Sequence, residues 1–172
     1  MTAAPNRWRE NAALFEAELR EGRRWQEWAA AELRLHLGLE PELPVFELRR
    51  SIADADRFTV DDDDIVLRGT AVGDVVLEVK SRPVYFVDPA GYPYTSALID
   101  TVSGWDAKRV EPRAVLLVSR TAQRMLVAPS ATRPRWSVMR AHDSVRNTWD
   151  DFYHCPRGLL QTFPWLVNKL RP

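Results

Sequence analysis

The segment Asp64-Ile-Val-Leu-Arg-Gly-Thr-Ala-Val-Gly-Asp-Val-Val-Leu-Glu-Val-Lys80 decides how the rest of the chain is read. Two β-branched runs, Ile65-Val66-Leu67 and Val75-Val76-Leu77, flank a turn bracketed by Gly69 and Gly73. This is the pattern of an antiparallel hairpin. A turn centred on Ala71 sets Arg68 opposite Asp74, Val66 opposite Val76, Asp64 opposite Glu78 and Asp62 opposite Lys80. Strand side chains alternate between faces, so these groups share one face, while Ile65, Leu67, Val75 and Leu77 fill the other. Two carboxylates directly opposed across a strand pair repel. A bound cation removes the conflict, because hard divalent metals take oxygen ligands. Lys80 follows Glu78 by two residues and projects to the same side. Asp, Glu and Lys around a metal form a set suited to cleaving phosphodiesters.

Outward from the hairpin, the composition sets bounds. A length of 172 residues with 45% hydrophobic and 28% charged content is that of one globular domain with a sizeable core. The formal net charge is zero, so overall basicity gives no argument for a nucleic-acid partner. The cations are nearly all arginine, with lysine only at Lys80, Lys108 and Lys169. Lysine at the one strand position where a compact ammonium is useful is therefore notable. The single Cys155 excludes an internal disulfide framework and suits a reducing compartment. No apolar run approaches the roughly 20 residues needed to span a bilayer, and the N-terminus lacks the apolar core of a signal peptide. The expectation is a cytoplasmic protein with no membrane partner.

Periodicity predicts a helix over about 8–20, an interruption at Gly22, and a second helix over about 24–37. The stripe of the second is Trp25, Trp28, Ala29, Leu33 and Leu37, and Gly38 is its stop. Residues 45–50 and 58–60 are candidate strands, as is 84–87. A helix is expected over 94–107. Ala114–Val118 reads as a buried central strand, paired with Met125–Ala128 across a short turn. Two closing helices are expected over 141–153 and 158–170. This order predicts a single three-layer α/β domain, a mixed central sheet flanked by helices. Its core spans about 22–130, with a C-terminal helical extension over about 135–172.

The strand motif Asp64-Ile-Val-Leu, followed after the turn by Glu78-Val79-Lys80, resembles the PD-(D/E)xK nuclease superfamily, whose members include restriction endonucleases and Holliday-junction resolvases. The helix with Glu27, the leucines at 33 and 37, and Gly38 is similar to the helix that carries a Glu in resolvase-like members. Glu32 is the second choice for that Glu. The family's proline before the Asp is absent, which keeps Asp61–Asp63 open as alternatives to Asp64, and Asp74 competes at a similar spacing. The resemblance implies a restriction-endonuclease-like fold and a metal-dependent nuclease, endo- or exonucleolytic, acting on nucleic acid with DNA favoured. It implies Asp64, Glu78 and the Val79 carbonyl as ligands of Mg²⁺, with Mn²⁺ as substitute, and Glu27, Asp64, Glu78 and Lys80 as catalytic groups. It leaves the oligomeric state open, a homodimer included.

Blander readings stand beside these. Arg68 with Asp74 is an ion pair near the turn. Glu27 alone is an ordinary surface carboxylate. His36, His142 and His154 share no metal-ligand spacing. The aromatics Tyr85, Phe86, Tyr92 and Tyr94 are either core or a base-stacking platform, and the arginines at 133, 135, 140 and 146 either a solvated face or phosphate contacts. On the same fold, a non-catalytic nucleic-acid-binding or assembly protein remains the alternative. A third option is a structural protein that associates through some of its seven tryptophans.

Overall fold

The computed structural model describes residues 7–43, 64–143 and 148–172. The candidate strands at 45–50 and 58–60, together with Asp61–Asp63 and Arg146, lie outside the described residues.

The deciding hairpin forms as read. Strand β1 (Ile65–Thr70) pairs antiparallel with β2 (Gly73–Arg82), and Ile65, Val66 and Leu67 face Leu77, Val76 and Val75. The turn itself is tighter than expected. Thr70 pairs with Gly73, and the register shifts between Leu67 and Thr70. Arg68 and Gly69 thus oppose Asp74 alone, a bulge that requires the left-handed backbone of Gly69 (φ 71°). The bulge absorbs the one-residue displacement of the turn, so the register toward Asp64 and Glu78 is unchanged. Arg68 bonds Asp74 at 3.0 Å and also Glu42, whose backbone bridges Val66 at the sheet edge.

Strand β3 (Ser96–Thr101), helix α2 (Val102–Asp106), β4 (Ala114–Ser119) and β5 (Arg124–Pro129) follow. β6 (Ser137–Asp143), β7 (Thr148–Pro156), the short β8 (Gln161–Thr162) and helix α3 (Phe163–Leu170) complete the described chain after α1 (Arg7–Leu37). The main sheet has the order β1-β2-β4-β5-β8 and is mixed, with β4 parallel to β2 and the other pairs antiparallel. β4 is buried at every position, as its apolar run predicts. One face of this sheet, through Leu67, Leu77, Val79, Leu116 and Val127, packs on Trp25, Ala29 and Leu33 of α1 and on α3. The other face, through Val115, Leu117 and Leu126, packs on Ala97, Ile99, Trp105 and Cys155. The molecule is therefore α/β with three layers, but the third layer is a sheet, β3-β7-β6, where helices were expected.

The structure differs from the sequence reading at several places, and two of the differences have local physical causes. α1 is continuous through Gly22. One glycine costs a helix about 1 kcal/mol relative to alanine, too little to break a helix whose apolar stripe is buried on the sheet; the helix ends at Gly38, which adopts φ 69°. Residues 94–107 divide into β3 and α2 because Ala97, Ile99 and Thr101 bury at alternate positions and Thr101 then caps α2, accepting from the Gly104 amide. The described residues of the expected helix over 141–153 are strand: β6 pairs with β7 from Ser137–His154 to Asp143–Thr148. Of the closing helices, Phe163–Leu170 is α-helical and Arg157–Leu159 forms a short 3-10 turn, and Val84–Val87 is not a strand. Among the described residues no helix is long and apolar enough to cross a membrane.

Candidate functional site

Alternation along β2 turns Val75, Leu77 and Val79 toward α1 and leaves Glu78 and Lys80 facing the second sheet. Glu78 is 4% exposed. A carboxylate in that position needs partners, since an isolated buried charge is prohibitive. Both of its oxygens meet an ammonium: Oε1 lies 2.8 Å from Lys80 Nζ, and Oε2 lies 2.9 Å from Lys108 Nζ. Lys80 also donates to Asp100 Oδ2 at 3.3 Å, from the end of β3. Asp100 is oriented by the Thr101 amide on its other oxygen.

Asp64 lies immediately before β1 and is 8% exposed. Its Oδ2 accepts from the Val79 amide at 2.6 Å, extending the hairpin ladder, and its Oδ1 accepts from the Gln26 side chain at 2.8 Å. Burial, then the nearby Glu78 charge, pushes its pKa up from 3.8 to about 7, against the pull of Lys80. Burial opposes the charge on Lys80, but Glu78, Asp100 and Asp64 outweigh it and hold that ammonium above its ordinary pKa. Asp64, Glu78 and Lys80 thus form one electrostatic unit, as the hairpin reading expects.

Glu27 is placed elsewhere. Its side chain is 59% exposed and pairs with Arg23 on the same helix at 3.0 Å. Glu32 contacts His36, and Asp74 belongs to the Arg68 pair at the other end of the hairpin. The helix residue that meets Asp64 is Gln26. Asp100 and Lys108 were missed as well. The rarity of lysine was the available signal for Lys108, since two of the three lysines in the chain end on the same carboxylate. Phe86 and Tyr92 are core, Tyr85 and Tyr94 exposed. Arg133 is held by Asp106, Glu111 and Tyr153. His154 bonds Ser96 and the His142 ring lies tilted against Trp149, both outside the cluster.

Among the described residues, no three His, Cys, Asp or Glu side chains converge as a metal cage. Asp64 and Glu78 supply two carboxylates, a number by which Mg²⁺ is commonly held, although each of their four oxygens already has an N–H or ammonium partner within 2.9 Å. Comparisons with protein families, curated proteins and solved structures give no match.

The raised Asp64 pKa has a measurable consequence. The ordinary carboxyl releases its proton near 3.8, so between that value and about 7 the folded protein holds a proton that the unfolded chain has lost. This contribution to stability is full below pH 3.8 and is lost as pH rises through 7. Asp64→Asn keeps an acceptor for Val79 and removes the titration. In EDTA, the variant should gain on the parent between pH 5 and pH 8 by about 2–3 kcal/mol, or roughly 5–10 °C in melting temperature. Equal differences at both pH values would show that Asp64 does not titrate in this range.

Proposed function

We propose that the protein is a metal-dependent nuclease that hydrolyses phosphodiester bonds in nucleic acid, with DNA favoured, on a restriction-endonuclease-like fold. The observation that carries this reading is the burial of Asp64 and Glu78 beside each other with Lys80 on Glu78. A buried carboxylate whose pKa is raised by burial and by a neighbouring carboxylate, as at Asp64, is a mark of functional sites. A β1–β2 hairpin that carries Asp and Glu-x-Lys in the register of the nuclease motif, followed by a strand parallel to β2, supports the fold assignment.

Asp64 and Glu78 would hold Mg²⁺ or Mn²⁺, with the Val79 carbonyl as a further oxygen. The ion, when bound, polarises the scissile phosphate and acidifies a water. Lys80 orients the attacking water and offsets charge that develops on the phosphate. With its side chain 24% exposed against 4% for Lys108, it is the more accessible of the two ammoniums on Glu78. Gln26 fixes the Asp64 carboxylate, taking the helix position expected of Glu27.

The two ammoniums on Glu78 favour a second reading, in which the cluster is an internal salt-bridge network and the protein binds nucleic acid or an assembly partner without cleaving. Incubation of purified protein with linear, nicked and branched DNA in Mg²⁺, Mn²⁺ or EDTA separates the two. Cleavage that depends on the ion is the expected result. Salt-sensitive DNA binding with no cleavage under either metal would select the second reading.

A further inference from the structure

We propose that Arg82 and Arg120 form a phosphate-binding pair that holds the nucleic-acid strand at the phosphate next to the scissile one. The inference rests on the nuclease reading and adds how the substrate strand is gripped beside Lys80.

β2 and β4 are the one parallel pair among the described strands, and they end together. Arg82, the last residue of β2, is in register with Ser119, the last of β4, and the Arg120 amide donates to the Arg82 carbonyl at 3.0 Å. The carboxyl ends of parallel strands are where open α/β sheets bind ligands. Arg82 also continues the row of Glu78 and Lys80 on one face of β2. Two residues further along a strand, its Cα lies about 7 Å from that of Lys80, close to the step between successive phosphates of one nucleic-acid strand. The contacts to β3 run the same way: Lys80 reaches Asp100, and Arg82 reaches Leu98.

Charge singles out this end of the sheet. The partly buried Arg82 guanidinium donates to the Ser81 and Leu98 carbonyls, each at 3.1 Å, and forms no ion pair among the described residues. Asp100, on the neighbouring strand, is taken by Lys80 and by the Thr101 amide. Burial lowers the Arg82 pKa; Tyr92, Asp100 and Glu18 act to raise it, and the nearby Arg120 charge lowers it further. Arg120 is partly buried too, and its side chain has no hydrogen bond or ion pair among the described residues. Two neighbouring guanidiniums without a carboxylate repel, and a bound phosphate removes the conflict. A guanidinium carries five N–H donors, of which Arg82 spends two on carbonyls, and its planar fork matches phosphate oxygens. Contacts of this kind fix the register of a nucleic acid without reading its sequence.

Two assays on the full chain test this. In EDTA, where the strand stays intact, anisotropy of a labelled DNA duplex at several salt concentrations gives the affinity and its salt slope. Arg82→Ala and Arg120→Ala should each weaken binding at low salt by at least about threefold and reduce the slope of log K against log salt by about one. A purely structural role would leave the slope unchanged. In Mn²⁺, each variant should raise KM for cleavage more than it lowers kcat. Arg120→Ala removes no bond within the described residues, so it decides the matter if Arg82→Ala does not fold. Cleavage by the parent, with affinity and slope unchanged in Arg120→Ala, would overturn the phosphate pair and leave the nuclease reading standing. A reduced slope in the variants with no cleavage by the parent would support the pair and overturn the nuclease reading. A parent that neither binds nor cleaves DNA would overturn both. A rise in its melting temperature with inorganic phosphate at matched ionic strength, lost in Arg120→Ala, would then assign the pair to a free phosphate.

Discussion

Replacing Lys80 by alanine should reduce metal-dependent cleavage of DNA by about 10²–10³-fold, the usual loss for one transition-state contact of this kind. In the proposed mechanism the ammonium acts on water and phosphate and not on the ion, so Mn²⁺ binding should largely survive. The substitution also removes a partner from Glu78 and from Asp100, and breaking a buried ion pair costs about 3–5 kcal/mol. Activity must therefore be read well below the lowered melting temperature. Lys80→Arg separates chemistry from stability. It retains a cation for both carboxylates, but a planar guanidinium does not reproduce a compact point charge, so the variant should fold and fail to cleave. Full cleavage by folded Lys80→Ala would place any activity at another site.

Glu78→Gln should have the largest effect on the metal-free protein. It removes a carboxylate partner from Lys80, which keeps Asp100, and from the enclosed Lys108, and breaking a buried ion pair from one side costs about 3–5 kcal/mol, or roughly 10 °C in melting temperature. The same change should remove the rise in melting temperature that Mn²⁺ gives the parent, because a ligand stabilises only the state that binds it. Melting curves of both proteins in EDTA and in millimolar Mn²⁺ measure both effects. A variant as stable as the parent in EDTA would mean that the two lysines are not held by Glu78. A variant still stabilised by Mn²⁺ would move the metal site away from it.

What the sequence disclosed follows from the range of the interactions involved. The β1–β2 hairpin is encoded locally, in two β-branched runs and two glycines at positive φ, and the predicted pairing of Val66 with Val76 survives because the bulge at Gly69 restores the count. β4 and β5 were legible because a strand buried on both faces must be apolar throughout. The third layer was not. β6 is mostly exposed and carries no alternation to mark it as a strand, and β3 offers a helical spacing as readily as a strand one. At the site, Asp64, Glu78 and Lys80 lie on one hairpin and could be related by register alone. Asp100 and Lys108 reach it only through the path of residues 83–113, which no local pattern specifies. The choice of Glu27 could have been avoided. Each helix residue turns by about 100°, and with Trp25, Ala29 and Leu33 on the sheet, Gln26 flanks the buried stripe while Glu27 points away.

The central claim is that Asp64 and Glu78 are buried side by side in order to hold a divalent cation. Calorimetric titration of Mn²⁺ into the parent and into Glu78→Gln, at pH 8 where Asp64 is ionised, tests it most directly. The account predicts a saturable heat of binding for the parent that is absent from the variant. No heat from the parent at millimolar Mn²⁺ would contradict it and leave the cluster as an internal salt-bridge network.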